Sequence, residues 1–485
     1  LKGIPEGEAM HTLTHRGTRR AEVTRGLGWS LLCLLATAPL QAAEPLVSGE
    51  QDRQQLDLTV YNQDLALVRE VRQVTLPKGE FSFEFRDVPS RINPVTLLVA
   101  GDGPSGLAIL EQNYEFDLLS PDRILGKYVG REIAWIQTDG TRITGTLLGT
   151  NDGPVYKVGG EILFEVPGRL ALPDLPPNLR ARPTLVWLAS ARRAGAAKVE
   201  ASYLTQGISW QADYVLQLDA AGRKADLQAW VSVDNRSGAG FENTTLLLVA
   251  GDVNQVRPEP RVMMDMAMSA EAGKARGFVE ESLYDYHLYT LQRPTTLKDN
   301  QIKQISLFEA AGMAVERHYR LQGQPRFFRS VGPLEDHSKV DVSYTFINAA
   351  DNKLGMPLPA GVFRVYGRSA GGSRQLLGED RIDHTPRDEK VELKVGQAFD
   401  LVAERVRTDS QRLADNLYRH TFRIALRNHK DEDVQVEVVE AVGGYWEIVK
   451  ESQPHRKLDA VTVAFDVPVK ADSETALTYT VEVKY

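Results

Sequence analysis

Cysteine is nearly missing from this chain of 485 residues: the one present is Cys33, inside an apolar run near the N-terminus. If that run is removed, no thiol remains. That excludes a disulfide framework, a thiolate metal site and a cysteine nucleophile. A thiol-free chain suits an oxidising compartment, where a stray thiol cross-links. Long apolar runs are missing too. None reaches the roughly 18 residues of a membrane-spanning helix, so the mature chain is expected to have no transmembrane segment. Positive charge is not in excess. The formal net charge is −8, whereas nucleic-acid binding needs a basic face, so no nucleic-acid partner is expected. Metal-ligand spacing is absent as well. Beyond residue 43 the histidines stand at 287, 318, 337, 384, 420, 429 and 455, with no H-x-x-x-H or H-E-x-x-H among them. No metal and no cofactor is therefore expected.

What is present first is an export signal. Arg16, Arg19, Arg20 and Arg25 precede the apolar run 27–38, and Gln41-Ala42-Ala43-Glu44 follows it. This is the basic, apolar, small-residue order of a secretory signal. The run is shorter than the roughly 20 residues of a stable anchor. Cleavage is expected after Ala42 or Ala43, with the mature protein in a Gram-negative periplasm or otherwise exported. Arg19-Arg20 makes a poor twin-arginine signal because Ala21-Glu22 follows. Cys33 makes a poor lipidation site, because Leu32 precedes it and the apolar run continues beyond it. Met10 reads as a more natural start than Leu1.

From residue 50 the dominant period is two. Leu56-Asp-Leu-Thr-Val-Tyr61 and 66–76 alternate, Pro77-Lys78-Gly79 interrupts, and Phe81-Ser-Phe-Glu-Phe85 resumes. Such alternation puts one set of side chains in a core and the other in water. Residues 123–166 carry turn signals at Gly130, Asp139-Gly140, Gly145, Asp152-Gly153 and Gly159-Gly160, which leave only short strands. A small SH3- or Sm-like β-barrel is expected over 123–170. A proline-rich connector, 172–179, follows it. Three later stretches share one shape, an alternating strand ending in Asn235, Asn348 or Asn428. Asparagine ends strands well, because its side chain imitates a backbone turn. The expected fold class is all-β and multi-domain, with immunoglobulin-like β-sandwiches. The expected domains are 50–122, the small barrel, 184–335 and 336–485. A mobile loop is expected at 257–282, rich in methionine at 263, 264, 266 and 268.

Two motifs imitate enzyme signatures. Gly367-Arg-Ser-Ala-Gly371 matches G-x-S-x-G, yet Gly372-Ser-Arg-Gln-Leu-Leu-Gly378 offers no helix to build an oxyanion hole. A hairpin turn accounts for Ser369 better than a nucleophile does. Gly101-Asp-Gly-Pro-Ser-Gly106 matches a dinucleotide fingerprint, but Pro104 and the strand-like residues after it point to a loop. No catalytic residue is expected. The alternative is a hydrolase assembled from distant residues, with Ser369, Asp383 and His384 as its parts. A binding surface is considered instead at 281–290, the densest aromatic stretch, against the alternative that both its faces are buried between sheets, since aromatic residues are strand formers in any case. On a strand there, His287 and Tyr289 share a face that would point outward and present tyrosine's large area and polar tip to a partner.

Several stretches are similar to a known group. Tyr61-Asn-Gln-Asp-Leu-Ala-Leu-Val-Arg69, Leu76-Pro-Lys-Gly79 and Asp87-Val-Pro89 resemble the opening of mucoidy-inhibitor-like proteins. Val199-Glu-Ala-Ser-Tyr203 and Trp210-Gln-Ala-Asp-Tyr-Val215 resemble the start of their shared uncharacterised domain, the domain-of-unknown-function family numbered 4139. The stretch 283–291, Leu377-Gly-Glu-Asp380 and Gly396-Gln-Ala-Phe-Asp400 continue it in order. The resemblance implies no enzymatic reaction and no catalytic residues. Together these readings predict an exported, non-enzymatic cell-envelope protein that binds a protein or polysaccharide partner.

Overall fold

The alternating segments become strands, and strands make up most of a computed structural model that describes residues 44–176, 179–251, 278–283, 286–369 and 371–485. The expected cleavage point at Ala42 and Ala43 lies outside these residues, as do Cys33 and the four loop methionines. Of the loop expected at 257–282, residues 257–277 also lie outside the described residues, and 278–282 belong to a strand instead, Phe278–Leu283, paired with Tyr286–Leu291.

The described strands form six sheets around three apolar cores. The largest core runs from Leu56 to Leu393 and lies among the sheets of eight, five and four strands, joined by Tyr344, Phe346, Val391 and Leu393 from a six-stranded sheet. The eight-stranded sheet holds Arg53–Tyr61 and Leu65–Leu76. In it Leu65–Leu76 pairs antiparallel with Gly195–Thr205, and Arg53–Tyr61 pairs in parallel with Phe241–Ala250. The four-stranded sheet sets Gly79–Arg86 beside Thr184–Ala191. The five-stranded sheet carries the site described below, in the order Gln301–Ala314, Lys224–Asn235, Ile208–Leu218, Gly361–Arg368, Arg374–Ile382.

The second core lies between two facing sheets at the C-terminal end. A six-stranded sheet contributes Val436, Val438, Phe465 and Val467, and a five-stranded sheet contributes Phe422, Ile424, Tyr479 and Val481. Alternation along Val434–Ala441, Thr462–Val469 and Ser473–Lys484 supplies these inward side chains. Each side chain taken from water this way stabilises by roughly 1.5–3 kcal/mol.

The expected domain boundaries need correction. Ladders cross from 50–122 into 184–335, and Gly361–Arg368 joins Ile208–Leu218 across the boundary expected at residue 336. Alternation tells which side chains face a core, but it does not tell which strand lies alongside. The small barrel is corrected as well. Residues 132–171 form an open five-stranded sheet, whose edge strands Glu161–Leu163 and Arg169–Ala171 do not pair with each other. Turn chemistry here is as expected. Gly159 and Gly160 both have positive φ, as a two-residue type I′ hairpin requires. A short helix, Pro121–Lys127, precedes this sheet and is capped by the Ser120 side chain. The whole block is inserted between Ala108–Glu115 and Thr184–Ala191, which pair directly. Among the described residues no helix is long and apolar enough to cross a membrane.

Candidate functional site

A cleft of about 570 Å³ opens where the eight-stranded and five-stranded sheets meet. Its rim begins with the turn after Tyr61. Asp64 has positive φ, and its carboxylate accepts the Gly207 N–H at 2.8 Å. That bond draws the turn onto the entry to Ile208–Leu218. The Asn62 amide donates to the Trp210 carbonyl at 3.4 Å, while Asn62 Oδ1 is buried without a partner. Trp210 itself points inward. Its indole N–H donates to Val249 O at 3.1 Å, bolting one sheet to the other. Its neighbours Ser209 and Gln211 consequently face the cleft.

The floor is the outer face of the five-stranded sheet. Gln304, Ser232 and Gln211 lie in one row across three strands, by register. Ser232 donates to Asp213 Oδ2 at 2.6 Å and accepts from Gln304 at 3.1 Å. Arg364 holds the other Asp213 oxygen at 3.1 Å and Glu379 at 3.0 Å. The hydrogen bond to Asp213 raises the guanidinium pKa above its ordinary value, so this charge is fixed. At the far wall, Gly361 packs against the neighbouring strand so closely that a Cβ would stand 2.2 Å from Ala212 O. Arg381, Asp383 and His384 close the cleft there. His384 Nδ1 accepts the Ala360 N–H at 3.1 Å, which in the neutral ring places the proton on Nε2.

Most charges around the cleft are already paired. Asp234 is held by Arg236 at 3.0 Å. The side chains of Gln211, Arg381 and Asp383 have no hydrogen bond or ion pair among the described residues, and all three are exposed. The cleft therefore offers an amide, a guanidinium and a carboxylate. This set suits a ligand rich in hydroxyl or amide groups. Among the described residues no cluster of three histidine, cysteine or acidic side chains could hold a metal.

The site residues expected from sequence fall in three places. Asp383 and His384 line the cleft. Ser369 does not join them. It sits in the hairpin turn, where its amide bonds Ser373 O and its hydroxyl lies 2.7 Å from Ser373 Oγ. The strand Gly361–Arg368 runs from the cleft to that turn, roughly 25 Å at ~3.3 Å per residue. The outward face expected for Tyr289 is corrected. Tyr289 is 1 % exposed, and its hydroxyl donates to Pro357 O at 3.0 Å. Burial raises its phenol pKa well above the usual value. His287 is half-buried, with Nδ1 2.7 Å from Glu280. Tyr286–Leu291 is an interior strand of the eight-stranded sheet, so the face carrying Tyr289 packs inward. Sequence reasoning missed Asn62, Gln211 and Arg381. The first two lie within the stretches quoted above for their resemblance, and only the register shows that they face one cleft.

These features define a multi-sheet all-β protein with a polar cleft at a sheet junction. Residues 199–485 match the model of the family described as Domain of unknown function (DUF4139), and the chain belongs to that family. No curated protein matches the chain.

Proposed function

We propose that this is an exported cell-envelope protein that binds a polysaccharide or protein partner through the polar cleft and catalyses no reaction. The carrying observation is the cleft itself, where Gln211, Arg381 and Asp383 face solvent with uncommitted side chains. The basic–apolar–small order of residues 16–44 supports export to the periplasm. Tyr61–Arg69 and Asp87-Val-Pro89 lie outside the matched domain and support a place in the mucoidy-inhibitor-like group. The two facing C-terminal sheets support an immunoglobulin-like sandwich.

The test is retention of envelope polysaccharide and envelope proteins on the immobilised mature chain and on a Gln211→Ala/Asp383→Asn variant. Loss of the retained species in the variant supports the reading, and equal retention contradicts it. A hydrolase reading draws on Asp383 and His384, which share the cleft with Ser209 and Ser232. Release of soluble fragments from a retained polymer, abolished by His384→Ala, would favour it.

A further inference from the structure

The five-stranded sheet continues the cleft as an ordered face. Strand register aligns its outward side chains in rows that run across the strands. One row begins at Gln304, passes Ser232 and Gln211, and reaches the position of Ala360 and then Asp383. Only Ala360 in this row lacks a hydrogen-bonding side chain. The row on one side holds Ile302, Asp234 and Ser209. The row on the other side holds Trp230, Asp213, Val362 and Arg381. Ile302 is 62 % exposed and Trp230 is half-buried on this face. A second hollow of about 440 Å³ adjoins the cleft, shares Asp234 and Ile302 with it, and reaches Arg236 and Asn300.

We infer that this face binds an extended, neutral, linear glycan lying across the strands, with the cleft as one of several consecutive sugar subsites. The inference rests on the reading of the cleft as the partner site. Three features select this ligand. Neighbouring strands are ~4.8 Å apart, close to the length of one hexose unit, so a chain crossing them meets a new polar side chain at each unit except at Ala360. The side chains along the path are amide, hydroxyl, carboxylate and guanidinium groups, which match ring hydroxyls. The charges balance in number: Asp213 is held by Arg364 and Asp234 by Arg236, which leaves one unpaired cation, Arg381, and one unpaired carboxylate, Asp383. A strongly anionic polymer would find no excess of cations here. Trp230 and Ile302 flank the central row on opposite sides and offer apolar surface to the ring carbons.

The test is calorimetric titration of the mature protein with neutral oligosaccharides of one to six units, using β-1,4-linked glucose, mannose and N-acetylglucosamine series. Polygalacturonate fragments and an extended peptide of mixed sequence serve as comparisons. Affinity should rise with length to about four units in at least one neutral series and then level off. Gln211→Ala and Trp230→Ala should each weaken the four-unit ligand by about tenfold, the scale of one good polar or apolar contact. They should change single-unit binding little, with unaltered thermal melting. Binding without length dependence, or four-unit binding indifferent to both variants, overturns the inference. So does binding of the anionic fragments or the peptide in preference to all three neutral series. If no neutral series binds but Gln211→Ala/Asp383→Asn still loses a partner retained from envelope extracts, the extended-glycan inference fails and the partner-site reading stands. If that variant loses nothing either, both fail.

Discussion

His420 shows how much one buried side chain can carry. It is fully buried, accepts from Ser410 through Nδ1 at 2.9 Å and donates through Nε2 to Phe328 O at 2.9 Å. Burial, with the Arg407 cation nearby, holds the imidazole below its ordinary pKa, although Asp409 acts the other way. The unfolded chain therefore takes up this proton first as pH falls through about 6.5. The stability contribution is present above that value and lost below it. Denaturant midpoints at pH 7.5 and 5.5 should fall more for the wild type than for His420→Gln; an equal fall would show that another group controls the acid limb. The ion pair in the same core makes a second case. Arg405 and Glu440 are buried and 2.7 Å apart, and Asp336 takes the other guanidinium edge at 2.9 Å. Glu440→Ala leaves the arginine charge buried and underpaired, and should cost about 3 kcal/mol in a chemical denaturation experiment. Neither residue was legible from the sequence. Both stand in alternating strands, where a polar residue on the apolar register looks like an interruption until its partner on another strand is known.

Among the elements, the three asparagines that end strands were legible, and their role is larger than turn formation. Asn235 donates to Ala239 O and Lys298 O and accepts from the Ser237 amide. Asn348 donates to Met356 O and Pro386 O and accepts from Gly355. Asn428 donates to Glu432 O and Lys470 O and accepts from Lys430. Each clamps its own loop to a second, distant one, and each is buried. Asn428→Ala should lower stability by roughly 2–3 kcal/mol, since several buried backbone groups lose partners at once; a change under about 0.5 kcal/mol, as for an ordinary surface site, would reduce the residue to a local turn. The hairpin at Ser369 makes the opposite prediction. Its bonds are local and exposed, so Ser369→Ala should leave melting temperature and any binding unchanged, and a loss of either would reopen a functional role. Gly378 is a position whose need for glycine the sequence could not reveal. A Cβ there would stand 2.0 Å from Val395 O, because Arg374–Ile382 passes directly against Lys390–Gln397.

At the scale of the whole molecule, the all-β class followed from the period of two, because that period is a property of each strand by itself. Sheet membership did not follow, because strands far apart in sequence pair through registers that only packing fixes. Two strands near residue 60, two near 210 and one near 365 meet at a single junction, and the cleft exists only there. This explains why Asp383 and His384 stood out as residue types while Asn62, Gln211 and Arg381 did not. The aromatic stretch at 281–290 was a candidate surface weighed against burial, and large aromatic residues are also what a sheet interior needs. The central claim is that partner binding occurs on the five-stranded sheet at this junction. Backbone hydrogen exchange of residues 44–485, measured with and without any species from envelope extracts that the immobilised chain retains, tests the claim most directly. Added protection should concentrate in the turn at 62–64, the ends of Ile208–Leu218 and Lys224–Asn235 near Ser209 and Asp234, and residues 381–384, and should vanish in Gln211→Ala/Asp383→Asn. Protection confined to the C-terminal sandwich or to the open sheet at 132–171, unaltered by that variant, would contradict it.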